Sequence, residues 1–367
     1  MPAVGLSSRI VRFVIFFGLL AVLLPRGPAH AESEDPATVP CALAEDVEMH
    51  PGPLVTDVLV GAVVPEPGES VTAHADLVAG YEELVVTTLE SGEVEIGECG
   101  TEGSGGSSSA LIGVGTDDVE DLEDAADEVQ SDPQEFTDET AASDPEEASG
   151  GESPKPNAKK ACRDKDYKPL GFKWKTTLHW TWYRESAPDY LSKDEVLDAI
   201  QQSVNSIIWS RNSCGMSDEV GATRSFDGSS GGTRANIGVR TEDGQQVYYC
   251  KQRDDKNVVD FGNLPPTTLG LTCWSWTSDS GLNKASEADI RLNKSDGVRW
   301  YLPGMTCTSE HSIRAVGTHE WGHAYGLDHV HEPRHGNLTM SKYINGPCQE
   351  SEYTLGHGDV LGLRDLY

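Results

Sequence analysis

The sequence predicts an α+β protein, and three observations carry that reading. Short runs rich in Val, Thr and aromatic residues, with turn residues between them, have the composition of strands. After Ser192 a stretch with apolar residues at helical spacing reads as a long amphipathic helix. Further on, His319 and His323 stand one helical turn apart, about 40° around the axis, with Glu320 inside the same arc.

The chain opens as a secretory signal, 1–31. Arg9 and Arg12 precede an apolar run over 13–24, and Ala29-His30-Ala31 is a small-x-small cleavage site. The run is short for a membrane span, and an uncleaved anchor is the alternative. Residues 32–102 read as a small β-rich module with strands near 58–64, 70–77 and 83–89 and a turn at Ser91-Gly92. Residues 103–160 read as an acidic disordered linker, because 117–152 is dominated by Asp, Glu, Ser and Ala with Phe136 as its one aromatic residue.

The formal net charge is -32, and the surplus sits in the front half, where no Lys or Arg occurs between Glu32 and Pro154. That argues against nucleic acid and against anionic membrane as partners, since both need basic surfaces. Lys155, Lys159 and Lys160 are the first basic residues after the signal, so a trypsin-like protease can cut between front and second half only there. The 32–160 segment is therefore either a propeptide released near Lys160 or a retained binding module.

Eight cysteines, an even number, fit an exported, oxidising setting. Cys41 and Cys99 are placed to pair in the front half. Six cysteines in 161–367 allow 15 pairings; order and proximity favour Cys162–Cys214, Cys250–Cys273 and Cys307–Cys348. In the same half a strand is expected over 175–182. Ser192 caps a helix running to about Ile208, with Val196, Ile200, Val204 and Ile207 or Ile208 as its buried stripe. Short strands follow at 234–240 and 288–292, then a helix from near Ser309 and a terminal helix after Gly358.

His319, Glu320, His323, Gly326 and His329 carry the chemistry. Gly326 lets the chain leave the helix in a conformation that a side chain resists, so that His329 can return as a third ring. Three neutral imidazoles leave a fourth position on a zinc ion open, the arrangement of a catalytic site. The pattern HExxHxxGxxH resembles that of the metzincin metalloendopeptidases at every fixed position. The order of elements across 161–367 is similar to their catalytic domains, matrixins especially, although only the histidine region is specific.

That resemblance implies a twisted mixed sheet with long helices, a zinc helix and a Met-turn. It implies one catalytic Zn2+ held by His319, His323 and His329, with Glu320 as the general base that takes a proton from the attacking water. The function expected is that of a secreted zinc-dependent metalloendopeptidase acting on extracellular proteins. The alternative is a non-enzymatic extracellular zinc-containing binding protein. Met340, in Asn337-Leu338-Thr339-Met340-Ser341, resembles the Met-turn floor under the rings. Asp359 is placed to cap the last helix or to support that turn. Ser286-Glu287-Ala288-Asp289-Ile290 resembles the matrixin edge strand beside the substrate. Tyr343 follows Met340 by three residues, one more than where a tyrosine joins the metal. Glu98-Cys99-Gly100 is a faint counterpart of the cysteine that silences matrixin precursors. The loops at 227–231 and 279–281 are candidates for Ca2+ but lack the spaced carboxylates of a calcium loop. His311, His331, His335 and His357 read as solvated or capping residues.

Overall fold

The computed structural model describes residues 54–56, 60–77, 80–92, 94–97, 110–112, 158–242, 245–330, 335–341 and 346–367. The signal segment, Cys41, Cys99, residues 117–152, His331 and Tyr343 lie outside them. Residues 40–367 form one compact unit, to which every described residue belongs.

Six strands come from the front half: β1 (Leu54–Thr56), β2 (Val60–Val63), β3 (Glu69–Leu77), β4 (Gly80–Thr88), β5 (Val94–Gly97) and β6 (Ala110–Ile112). β3 to β6 are an antiparallel meander. Gly92, at φ 84°, closes the Ser91-Gly92 turn that the sequence predicts. β6 falls inside the stretch expected to be linker. Leu111 and Ile112 give that stretch a local apolar run, enough for one short strand on an existing edge.

The second half contributes α1 (Ala158–Ala161), β7 (Lys168–Pro169), β8 (Phe172–Lys173), β9 (Leu178–Trp182), α2 (Lys193–Ile208), β10 (Arg224–Ser229), β11 (Ile237–Glu242) and β12 (Gln245–Cys250). After these come β13 (Val258–Gly262), β14 (Thr268–Thr277), β15 (Asn283–Asn293), β16 (Trp300–Tyr301), β17 (His311–Ser312), α3 (Ile313–Ala324), β18 (Leu327–Asp328) and α4 (His357–Leu366). The large sheet runs β10-β9-β13-β15-β14-β3-β4-β5-β6, with β8 beside β15. Its first four strands are parallel, and from β15 onward the pairing is antiparallel. A second sheet, β1-β2-β12-β11, also joins the two halves, because β2 lies parallel to β12.

Two expectations need correction. The segment 286–290 lies in β15, which is flanked by β13 and β14 and is not an edge. The outermost strand of the second half is β14, and β3 covers it along its whole length, from Thr268↔Leu77 to Thr277↔Glu69. β14 escaped notice because nearly all of it is buried on both faces, so its side chains do not alternate between apolar and polar. The helix expected from near Ser309 starts at Ile313, after β17, with the Ser312 side chain accepting from Ala315 N at 3.2 Å.

β14 separates two apolar layers. One holds Trp180, Trp182, Ile200, Val204, Ile290, Trp321 and Met340, between the sheet and helices α2 and α3. The other is shared between the halves: Val71, Ala73, Ala75, Leu84 and Val86 from the front pack with Ile237, Tyr248, Leu271 and Cys273. The front strands thus complete their core with residues of the second half. α2 keeps the stripe expected of it, and its Ser192 cap accepts from Glu195 N. The three disulfides are those favoured by order: Cys162–Cys214, Cys250–Cys273 and Cys307–Cys348.

Candidate metal centre

α3 is buried along nearly its full length, which fixes the direction of its two histidines. The helix ends at Tyr325, and Gly326 at φ 93° turns the chain into β18. A Cβ at Gly326 would stand 2.5 Å from the Phe172 carbonyl oxygen, so both the conformation and the contact demand glycine. β18 pairs with β7, and the next residue is His329, brought back beneath the helix.

The three rings converge. His319 Nε2 lies 2.9 Å from His329 Nε2 and 3.0 Å from His323 Nε2. His319 Nδ1 donates to Thr339 O at 2.6 Å, and His323 Nδ1 donates to Leu327 O at 2.9 Å. With those protons on Nδ1, both Nε2 atoms present lone pairs to one point. Lone pairs at this separation repel unless a proton or a metal ion lies between them. A zinc ion at about 2.0–2.1 Å from each nitrogen would set such atoms roughly 3.3 Å apart, so the three rings fit one ion.

Beneath the rings, Met340 is buried against α3, and a Cβ on Gly322 would fall 2.2 Å from its sulfur. Asp359 does both of the things expected of it. Its carboxylate accepts from Thr339 N at 2.8 Å, Met340 N at 3.1 Å and Gly356 N at 2.7 Å, which caps α4 and pins the Met340 turn. Burial pushes this carboxyl up, and the three N–H donors oppose that shift. Asp359→Ala would leave these donors unsatisfied at about 1–3 kcal/mol each. We expect the melting temperature to fall by on the order of 10 °C. Asp359→Asn, which keeps one acceptor, should fall between. A melting curve for Asp359→Ala matching the wild type would refute this account of the turn.

Glu320 is fully buried. Its Oε2 accepts from Thr272 Oγ1 of β14 at 2.5 Å, while Oε1 has no hydrogen bond among the described residues. Gly270 makes room for it, since a Cβ there would lie 1.7 Å from Oε1. Burial, then the charge of Asp76, pushes Glu320 up to about 8. Burial takes His329 down to about 4 and holds His323 well below its usual value. His319 goes the other way: burial lowers it, but the Asp76 carboxylate, with Glu320 and the Thr339 carbonyl, outweighs burial and raises it to about 9.

Asp76 and His74, both on β3, were not among the expected site residues. Asp76 Oδ1 lies 3.0 Å from His329 Nε2 and 3.3 Å from His319 Nε2, and Oδ2 lies 3.7 Å from His323 Nε2. His74 Nε2 is 3.6 Å from Asp76 Oδ1, and His74 Nδ1 is 3.0 Å from Glu83 Oε2. The alternation in 70–77 was legible, with Val71, Ala73 and Ala75 on one face. The opposite face, Ser70, Thr72, His74 and Asp76, is polar and buried as well.

Among the described residues, the other histidines singled out in the sequence stay apart from this centre. His335 pairs with Asp164 and Asp166, His357 Nδ1 lies 3.2 Å from Cys162 O, and His311 is half-buried on β17. In the two loops considered for calcium, Asp227 is paired with His179 and Asp279 with Lys175.

A buried convergence of imidazoles beside a carboxylate, under a β-strand rim, has the ligand types that could hold a metal ion. Residues 266–367 match the Peptidase M10 family model, described as matrixin, so the chain carries a matrixin domain there. Matrixins are zinc metalloendopeptidases. The match takes in β14, α3, His329, Met340 and Asp359.

Proposed function

We propose that the chain is a secreted zinc-dependent metalloendopeptidase made as a precursor, with His319, His323 and His329 as metal ligands and Glu320 as general base. The observation that carries this reading is the approach of His323 Nε2 and His329 Nε2 to His319 Nε2 at 3.0 and 2.9 Å, with His319 and His323 held by carbonyl partners at Nδ1.

When bound, zinc would polarise the scissile carbonyl and lower the pKa of water toward about 7. Glu320 then takes the proton of the attacking water and returns it to the departing amine. Thr272 orients Glu320 from the rim strand. Met340 excludes solvent below the rings, and the Thr339 and Leu327 carbonyls fix the orientation of His319 and His323. The edge of β14, once uncovered, offers backbone groups to an extended polypeptide. The disulfides support export to an oxidising compartment, as the signal-like N-terminus suggests. Lys159 and Lys160 are exposed, in keeping with activation by a trypsin-like protease near Lys160.

The test is hydrolysis of an unfolded protein such as reduced casein by the chain cut after Lys160 and freed of its front half. Activity should vanish with 1,10-phenanthroline and return with added Zn2+. A metal-loaded product starting at Ala161 that cleaves nothing in a broad peptide library would sink the proposal in favour of a binding protein.

A further inference from the structure

We propose that Asp76, delivered by the front strand β3, is the fourth ligand of the metal centre, so that the uncut chain holds its own active site closed. The inference rests on the metal-centre reading above and adds to it a residue from outside the matrixin match, which begins at residue 266.

Geometry comes first. The three ring nitrogens and the Asp76 carboxylate form a cage, five of whose edges measure 2.9, 3.0, 3.0, 3.3 and 3.7 Å. Those edges bracket the roughly 3.3 Å expected of four ligands around a tetrahedral zinc ion. His74 also brings a nitrogen near, since His74, Asp76, His323 and His329 have ligand atoms within 4.8 Å of one another. His319 is nonetheless the third ring, because its Nε2 is at 2.9–3.0 Å from both partners. His74, tied to Glu83 and stacked on Tyr81 with centroids 5.2 Å apart, flanks Asp76 and keeps its carboxylate aimed inward.

Chemistry comes second. Asp76 is completely buried, and neither carboxylate oxygen has a hydrogen bond among the described residues. Both oxygens face ring nitrogens, two of which carry lone pairs because their protons sit on Nδ1. A buried carboxylate without a donor is expensive; one coordinating a cation is not. A metal ion held among these side chains would satisfy the carboxylate and the ring nitrogens together.

Topology comes third. β3 runs antiparallel to β14 along its entire length and so uses the edge an extended substrate would need. The register places His74 opposite Thr272, the residue that holds Glu320. One strand thus fills the open metal position, the substrate edge and the space over the general base. Latency here comes from a carboxylate on β3, and displacing β3 would return the fourth position to water.

The test uses the full uncut chain loaded with Co2+, whose visible spectrum reports ligand exchange, titrated with acetohydroxamate as a probe for an open metal position. The wild type should resist, and Asp76→Ala should bind the probe at least about tenfold more tightly, as expected if the open state is a tenth or less of the wild-type population. The cobalt spectra before titration should also differ. Asp76→Asn preserves shape and is the variant that decides if the alanine form does not fold. Identical midpoints and identical spectra for wild type and variants overturn the latch. Failure of every form to retain cobalt on gel filtration sinks the metal-centre reading instead. A probe difference without peptide hydrolysis by the freed second half leaves the latch standing and removes the peptidase.

Discussion

Glu320→Gln, in the chain cut after Lys160 and freed of its front half, should retain stoichiometric zinc and lose kcat by about 10²–10⁴-fold, the usual worth of a positioned general base. The carboxylate is not among the converging ring nitrogens. It stands beside them on α3, held by Thr272 and cleared by Gly270. The amide preserves the hydrogen bond from Thr272 and the fit under β14, so the fold and the rings stay in place. What it loses is proton acceptance. KM should change little, because the bond lost is made in the transition state. Zinc measured by atomic absorption alongside initial rates on a quenched peptide separates the two effects. Wild-type-like turnover by the glutamine form would rule out Glu320 as the base.

His329→Ala should cost both metal and turnover. In the chain freed of its front half, and so of Asp76, two rings one helical turn apart remain, and neither Met340 nor the Asp359 carboxylate, fully engaged by three N–H donors, can replace the third. Losing a partner of a metal ligand costs 10–100-fold in affinity, so losing the ligand itself should weaken zinc by more than about 100-fold. A metal that binds only the folded protein also stabilises it. Wild-type melting should therefore fall on adding chelator, while His329→Ala should melt at one temperature with or without it. His335→Ala is the contrasting control, since that ring is spent on Asp164 and Asp166. Zinc retained by the 329 variant with undiminished affinity would remove this residue from the ligand set.

Much of this arrangement was legible in the sequence because it depends on local spacing. His319 and His323 need only a helical turn, Gly326 only a positive φ, and the α2 stripe only its period. The disulfides followed from order, each joining cysteines next to one another in the sequence of the second half. β14 was missed because a strand buried on both faces shows no alternation. The edge was assigned to 286–290 by resemblance: composition marks a strand, but its rank in a sheet depends on pairing partners far along the chain. Asp76 was invisible for a different reason. It lies 243 positions before His319 by residue number, and no periodicity connects them. The one available signal was a strand face carrying Thr72, His74 and Asp76 together, chemistry that solvent alone does not require.

The apolar layer shared by front and second halves has its own consequence. Detaching the leading strands would strip cover from Ile237, Tyr248, Leu271 and Cys273, residues that water currently barely touches. Liberation therefore carries a solubility penalty: the matured fragment emerges with a greasy flank beside its cleft, and it must tolerate that flank or find another molecule to shelter it.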